Sequence, residues 1–332
     1  MNTRNAIPGV FIIQCSMKQD RSIVYMGTPD FAVEPLKRLL EKQFYVKAVV
    51  TVADKPAGRG LKVHSSPVKE FALQQQIPVL QPLRLNDPEF VEQLKALNAD
   101  LFIVVAFRKL PEVIWKLPKA GCFNLHASLL PQYRGAAPIN HAVINGEKTT
   151  GVTTFFLNDE IDTGKIIMQR ETAIGPDETA GEVHDRLMLI GAELVTETVE
   201  AIFNDAHTSV NQPDINIELK KAPKIFREDC MINWAQSATS VHNFIRGLSP
   251  YPGAFGTLTT SDGVKELKVL KSALIGKTSS LEPGTAIIDN NKMLVACNDE
   301  FIEILMVQPA GKRSMQVSDY LRGSRFEILK FT

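Results

Sequence analysis

Short apolar runs alternate with stretches of helical period through the first third of the chain. Ser22–Met26, Val46–Val52, Pro78–Leu80 and Leu101–Ala106 read as strands, the last of them the most apolar and so the centre of a sheet. Between them lie helical patterns. One follows Gly27-Thr28-Pro29-Asp30, with Thr28 as N-cap, Pro29 at the first helical position and Leu36, Leu39 and Leu40 as its apolar stripe. A second opens at Ser66-Pro67 and runs to about Gln76, and a third opens at Asp87-Pro88. Strands alternating with helices predict a doubly wound α/β fold built on a mostly parallel, Rossmann-like sheet.

After Gly121 the pattern changes. Cys122–His126 is a short strand, Leu129–Gly135 a loop, Pro138–Asn145 a helix, and Thr150–Leu157 and Lys165–Thr172 two further strands. A long helix opens at Asp177, with Val183, Leu187, Ile190, Leu194 and Val195 on its apolar face. Residues 206–225 lack a period and read as a linker. Beyond it, Ala238–Leu248 is an amphipathic helix ending at Ser249-Pro250. Ala254–Thr259, Glu266–Leu270, Gly284–Asp289, Lys292–Ala296 and Phe301–Gln308 are closely spaced short strands, the pattern of a small antiparallel barrel of OB-like form. The expected organisation is an extension over residues 1–19, an α/β domain over 20–205, a linker over 206–225 and a β-barrel domain over 226–332. In the extension, Pro8 and Gly9 break the apolar stretch that a signal peptide would need, and Met17 is an alternative start.

Composition leaves this picture in place. The 332 residues carry 37 Lys plus Arg against 37 Asp plus Glu, so the net charge is zero and no bulk field favours a polyanion or a membrane. No apolar run approaches the roughly 18 residues of a bilayer span. Cys15, Cys122, Cys230 and Cys297 form no CxxC and no zinc-ligand spacing, which fits reduced thiols in a cytoplasmic protein and no metal site.

Candidate chemistry gathers in Asn124-Leu125-His126-Ala127-Ser128-Leu129-Leu130-Pro131. Asn124 and His126 are two apart on a strand and share a face. At the carboxyl end of a parallel sheet that face opens on the crevice where such sheets bind ligands. An amide beside an imidazole suits an oxyanion and a proton transfer, and Asp162, between the two following strands, could orient the imidazole. Spacing alone equally allows a structural histidine and a turn aspartate. A Cys122 nucleophile shares the same face, a buried inert thiol being the plainer reading, and no GxSxG elbow exists. Gly27-Thr28-Pro29-Asp30-Phe31 has one glycine where a dinucleotide fingerprint needs three, and no phosphate-binding GxxxxGK[ST] occurs.

These segments resemble the folate-dependent formyltransferases, in the branch that acts on methionyl-tRNA. The resemblance runs over residues 20–332. It is carried by Met26–Phe31, Asp54–Gly60 (DKPAGRG), Ser66–Lys69, Asn124–Pro131 (NLHASLLP), Arg134–Ile139, Gly151-Val152-Thr153, Asp162-Thr163-Gly164 and Gln308–Lys312. It implies transfer of a formyl group from 10-formyltetrahydrofolate to the α-amino group of methionyl initiator tRNA, without metal. Nothing in the sequence suggests an obligate oligomer, so a monomer is expected. The resemblance places the catalytic residues on Asn124, His126 and Asp162. Folate binding falls on Ser128, Leu129, Leu130 and Pro131, with Ala106 and Phe107. Contacts to tRNA fall on Lys55 and Arg59 of the DKPAGRG loop and on Lys62 just after it. Lys220, Lys221 and Lys224 of the linker could add a basic stripe for the RNA, a merely solvated surface being the competing reading. One departure is Phe107-Arg108-Lys109-Leu110-Pro111, where many members carry Tyr-Gly followed by apolar residues. Other acceptors on the same chemistry are glycinamide ribonucleotide, a sugar nucleotide, or water in the hydrolase module of formyltetrahydrofolate dehydrogenase. A non-catalytic folate- or RNA-binding protein on the same fold is a different class. Residues 206–332 hold 15 Lys plus Arg and 13 Asp plus Glu, and residues 1–205 hold 22 and 24, so an RNA site must come from placed cations.

Overall fold

A computed structural model of the protein describes residues 21–57, 62–212, 218–260, 263–322 and 330–331. The expected extension and Arg59 lie outside the described residues. The described chain falls into two compact units that are not contiguous in sequence. One comprises residues up to 131 with 151–170 and 186–218, and the other comprises 132–150, 171–185 and 219 onward. Segments 132–150 and 171–185 therefore group with the C-terminal part, where a linear reading put the division near residue 205.

The first unit is built on a seven-stranded sheet. Its strands are β1 (Ser22–Gly27), β2 (Tyr45–Val50), β3 (Val79–Leu80), β4 (Leu101–Val105), β5 (Cys122–His126), β6 (Thr149–Phe156) and β7 (Ile166–Ala173), in the order β7-β6-β5-β4-β1-β2-β3. From β3 to β5 all pairings are parallel, while β6 runs antiparallel to β5. β4 is the central strand and all five of its residues are buried, as its unbroken apolar run requires. The chain leaves β1 towards β2 on one side while β4 lies on the other, so the strand order reverses there and opens a crevice at the carboxyl ends.

Helix α1 (Val33–Glu41) buries Leu36 and Leu39 against this sheet. α2 (Pro67–Gln74) is capped by Ser66, which accepts the Lys69 amide, and α3 (Pro88–Leu97) by Asp87, which accepts the Glu89 amide. Phe90, Val91 and Leu94 of α3 pack on Val24, Met26, Val50, Phe102, Val104 and Cys122, so this face of β1, β2, β4 and β5 is core up to its last residues. The N-cap expected at Thr28 does not form. Asp30–Ala32 is instead a 3-10 turn, the Phe31 amide bonds to Asp30 Oδ1, and Thr28 Oγ1 is buried without a hydrogen-bond partner. The long helix α4 (Ala180–Phe203) also starts later than Asp177. Thr179 and Glu182 close a reciprocal capping box there, with Thr179 N to Glu182 Oε2 at 2.8 Å and Glu182 N to Thr179 Oγ1 at 3.2 Å.

The second unit holds α5 (Ala238–Gly247), capped by Ser237, and a curled antiparallel sheet. Its strands are β8 (Ala254–Thr260), β9 (Gly263–Thr278), β10 (Ala286–Asp289), β11 (Lys292–Ala296), β12 (Glu300–Pro309) and β13 (Lys330–Phe331), ordered β10-β11-β12-β9-β8-β13. A single bridge between Thr285 and Lys330 joins its two edges, and Val241, Ile245 and Leu248 plug the curl with Trp234 and Phe331. β9 runs well past the expected Glu266–Leu270, because after pairing with β8 it continues along β12 through register shifts that re-aim its outer half. The strand at Lys330–Phe331 and a helical turn at Val317–Arg322 carry no sequence signal of their own; they form by packing on this sheet.

Candidate active site at the carboxyl end of the sheet

β5 brings the polar residues of NLHASLLP to the crevice. Asn124 pairs with Val104 and Phe155, and His126 lies opposite Thr153 on β6. The strand period puts Asn124 and His126 on one face, above Cys122. Asn124 is half-buried and His126 buried. Burial pushes the Cys122 thiol up and so disfavours the thiolate that a nucleophile would need.

Asp162 arrives from the turn between β6 and β7. Its backbone is left-handed, with φ +56°, a conformation aspartate tolerates better than most residues. Its Oδ2 stands 3.8 Å from His126 Nδ1, and both side chains are nearly buried. Two features fix this turn. A Cβ at Gly164 would lie 1.6 Å from the Phe156 carbonyl oxygen, so only glycine lets the chain pass under β6. The Gln212 side-chain amide donates to the carbonyls of Asp162 at 2.8 Å and Gly164 at 3.0 Å. The segment carrying Gln212 is also paired to the start of β7 through Ile166 and Val210, so residues 210–212 belong to the site's frame although sequence placed them in a linker.

The loop Ser128–Pro131 continues from β5 and is stapled by one hydroxyl. Thr153 Oγ1 donates to the Ser128 carbonyl at 2.6 Å and accepts the Leu130 amide at 3.2 Å. The Gln169 amide of β7 donates to Thr153 Oγ1 at 2.9 Å and to the Leu130 carbonyl at 3.0 Å. Ser128, Leu130 and Pro131 are buried and Leu129 half-buried. Ala106, exposed and left-handed at φ +47°, ends β4 beside the end of β5, since Val105 pairs with Leu125. Phe107 packs on the sheet core, and Arg108 donates to the carbonyls of Pro82 and Leu83 at 2.9 and 3.1 Å. The structure thus brings Asn124, His126 and Asp162 together and sets Ala106, Phe107 and the Ser128–Pro131 loop around the same strand ends. Sequence reasoning missed Thr153, Gln169 and Gln212, whose roles are backbone contacts set by strand pairing. Among the described residues, no group of three or more His, Cys, Asp and Glu could hold a metal ion.

The cations expected to meet RNA lie on other segments of the chain. Lys55 and Lys62 sit on the two short strands of a hairpin, Lys55–Ala57 and Lys62–His64, that rises between β2 and α2. In the second unit, Lys221 and Lys224 are exposed, and Lys224 Nζ lies 5.2 Å from the centre of the Phe226 ring. Lys220 is engaged otherwise: its ammonium is 2.6 Å from Glu147 Oε1, which also accepts the Tyr133 hydroxyl.

An amide, an imidazole and a carboxylate at the carboxyl end of parallel strands form a set able to stabilise an oxyanion and to move a proton. The model of the formyl transferases matches residues 21–199, and that of the formyl transferase C-terminal domain matches residues 224–325. The chain belongs to the formyl transferase family. Within it the chain stands among the methionyl-tRNA formyltransferases. It is 51% identical to that of Bacteroides thetaiotaomicron over 93% of this chain and 97% of the relative. It is 48% identical to that of Parabacteroides distasonis over 95% and 99%. The fold is shared with an N-formyltransferase from Helicobacter canadensis in complex with folinic acid and dTDP-3-aminofucose, at a TM-score of 0.62, 22% identity and coverage of 87% and 99%. It is shared too with HypX of Aquifex aeolicus in complex with tetrahydrofolic acid, at 0.61, 16% identity and coverage of 90% and 46%.

Proposed function

We propose that the protein transfers the formyl group of 10-formyltetrahydrofolate to the α-amino group of methionyl initiator tRNA, giving formylmethionyl-tRNA for translation initiation. The observation that carries the chemistry is the approach of Asp162 to His126 at 3.8 Å, on the strand face that also bears Asn124. The relatives' shared name supports the choice of acceptor.

The free amine attacks the formyl carbon and forms a tetrahedral centre whose oxygen carries negative charge. The Asn124 amide and the His126 ring donate to that oxygen. Asp162 orients the ring and takes the proton that the attacking amine loses. That proton passes to N10 of the folate as the carbon–N10 bond breaks. The Ser128–Pro131 loop, with Ala106 and Phe107, offers backbone groups and apolar side chains to the flat pterin. Lys55, Arg59, Lys62, Lys221 and Lys224 meet the tRNA, and Lys220 holds the linker through Glu147. All three reacting groups lie on one chain, so a monomer suffices, and the acceptor places the reaction in the cytoplasm. Among the described residues no helix is long and apolar enough to cross a membrane.

A transfer assay with 10-formyltetrahydrofolate tests the reading. Charged initiator tRNA is compared with glycinamide ribonucleotide and an amino-sugar nucleotide. Formylation of the tRNA alone is expected; preference for either small acceptor overturns it.

A further inference from the structure

The hairpin over Lys55–His64 is too short to hold its own direction. Two paired strands of three residues each are marginal in water, so the hairpin's aim must come from its feet. Those feet are bolted twice. The outgoing foot is Asp54 and the returning foot leads through Ser66 into α2, which carries Lys69. Asp54 Oδ2 meets Lys69 Nζ at 2.5 Å, with the two side chains only 25% and 18% exposed. The other carboxylate oxygen accepts the Gln81 amide at 2.8 Å, and the same amide reaches the Val52 carbonyl at 2.8 Å. One turn below, the buried Thr51 and Ser66 hydroxyls share a hydrogen bond of 2.8 Å, and Ser66 also caps α2 at the Lys69 amide. Hydrogen bonds from Lys69 and then Gln81 hold the Asp54 carboxyl below its ordinary range, so the carboxylate stays charged near neutrality.

We propose that Asp54 and Lys69 are positioning residues for the RNA substrate: their ion pair closes the mouth of the hairpin and fixes the angle at which its cations are presented to the acceptor stem. The proposal rests on the reading that this hairpin meets tRNA. It gives the aspartate of DKPAGRG and the lysine of the Ser66–Lys69 segment a joint role, although neither touches the reacting atoms. It also assigns the Lys69 ammonium to the clamp and not to a phosphate, because a half-buried cation already satisfied by a carboxylate has little charge left to offer.

The test uses the full chain, with KM for charged initiator tRNA and for 10-formyltetrahydrofolate measured separately in Asp54→Asn, Lys69→Met, the exchanged pair Asp54→Lys with Lys69→Asp, and Arg59→Ala. The clamp predicts a tRNA KM raised about tenfold in each single clamp variant. The folate KM and kcat at saturating tRNA should stay within about twofold, and the exchanged pair should recover most of the loss. Were Lys69 a phosphate contact, Asp54→Asn would free it and tighten tRNA binding; that result overturns the clamp. An unchanged tRNA KM in Asp54→Asn and Lys69→Met, alongside a raised one in Arg59→Ala, overturns the clamp and leaves the hairpin's role standing. An unchanged tRNA KM in all three overturns both. Should a single variant fail to fold, the exchanged pair decides: wild-type tRNA KM supports the clamp, and a raised tRNA KM with a normal folate KM overturns it.

Discussion

Thr153 spends its whole hydrogen-bonding capacity on the loop that follows the site strand: it donates to Ser128, accepts from Leu130 and accepts from the Gln169 amide that also holds Leu130. β6 therefore sets the shape of Ser128–Pro131 from the far side of the strand pair. Thr153→Val keeps the volume and removes the hydroxyl that holds the Ser128 carbonyl and the Leu130 amide, a loss of about 1–3 kcal/mol. The expected result is a loss of stability of about 2 kcal/mol in urea titration. Steady-state kinetics should show a folate KM that rises more than the tRNA KM.

The trio at the crevice should behave as one unit. Asn124→Ala or His126→Ala removes a donor to the developing oxyanion, which costs on the order of 10²–10³ in kcat. Asp162→Asn keeps the shape and should cost as much through a misoriented ring. Affinity for tRNA, measured by filter binding without folate, should be unchanged in all three.

Gly164 is a steric requirement. Its hypothetical Cβ would collide with the Phe156 carbonyl at 1.6 Å, a backbone atom that cannot step aside. Gly164→Ala should cost about 1–3 kcal/mol in stability as the turn is pushed out. It should lower kcat beyond the stability effect, because the turn carries Asp162. Thermal melting and single-turnover rates read the two effects separately.

Lys220 and its neighbours in the linker should separate. Lys220 is committed to Glu147, whose carboxyl burial would raise but which the Lys220 and Tyr133 hydrogen bonds hold below its ordinary range. Lys220→Ala should therefore change tRNA affinity less than Lys224→Ala. The salt dependence of tRNA binding should fall by about one phosphate contact in the Lys224 variant and remain unchanged in the Lys220 variant. Equal effects on the slope would return Lys220 to the RNA surface.

Acid should loosen the second unit through His242. Its ring is buried, bonded to Ser272 Oγ at 3.1 Å and to the Pro176 carbonyl at 3.3 Å, with Arg246 on the next turn and Asp177 Oδ1 at 3.4 Å. Burial first, and then the Arg246 charge, lowers its pKa. The unfolded chain thus binds the proton more readily, with an ordinary pKa of about 6.5. This contribution to stability is present above about pH 6.5 and declines as pH falls towards the lowered folded value. Melting temperatures of the wild type and His242→Gln from pH 8 to pH 5 should diverge least at the acid end.

Much of this was legible in the chain. The strand Cys122–His126 has the bounds its alternation implies, β4 is central as its apolar run requires, and Ser66 and Asp87 are the caps their positions suggest. Failures came where a local signal met a stronger partner. Thr28 lost its capping role to a 3-10 turn held by Asp30, and Asp177 lost the helix start to the Thr179–Glu182 box. The ion pair of Lys220 with Glu147, 73 residues away in sequence, has no sequence signal.

The sequence by itself determined which face each strand residue takes, because a period of two leaves Asn124 and His126 no choice once β5 forms. It also determined the caps at Ser66 and Asp87, whose requirements are local. Only the tertiary structure decided that Asp162 reaches His126, that one threonine holds the Ser128–Pro131 loop, and that Asp54 and Lys69 close the hairpin. Each is a contact between segments joined only by long excursions of chain. Strand register and side-chain reach fix such distances, and neither is written in the spacing of the residues that meet.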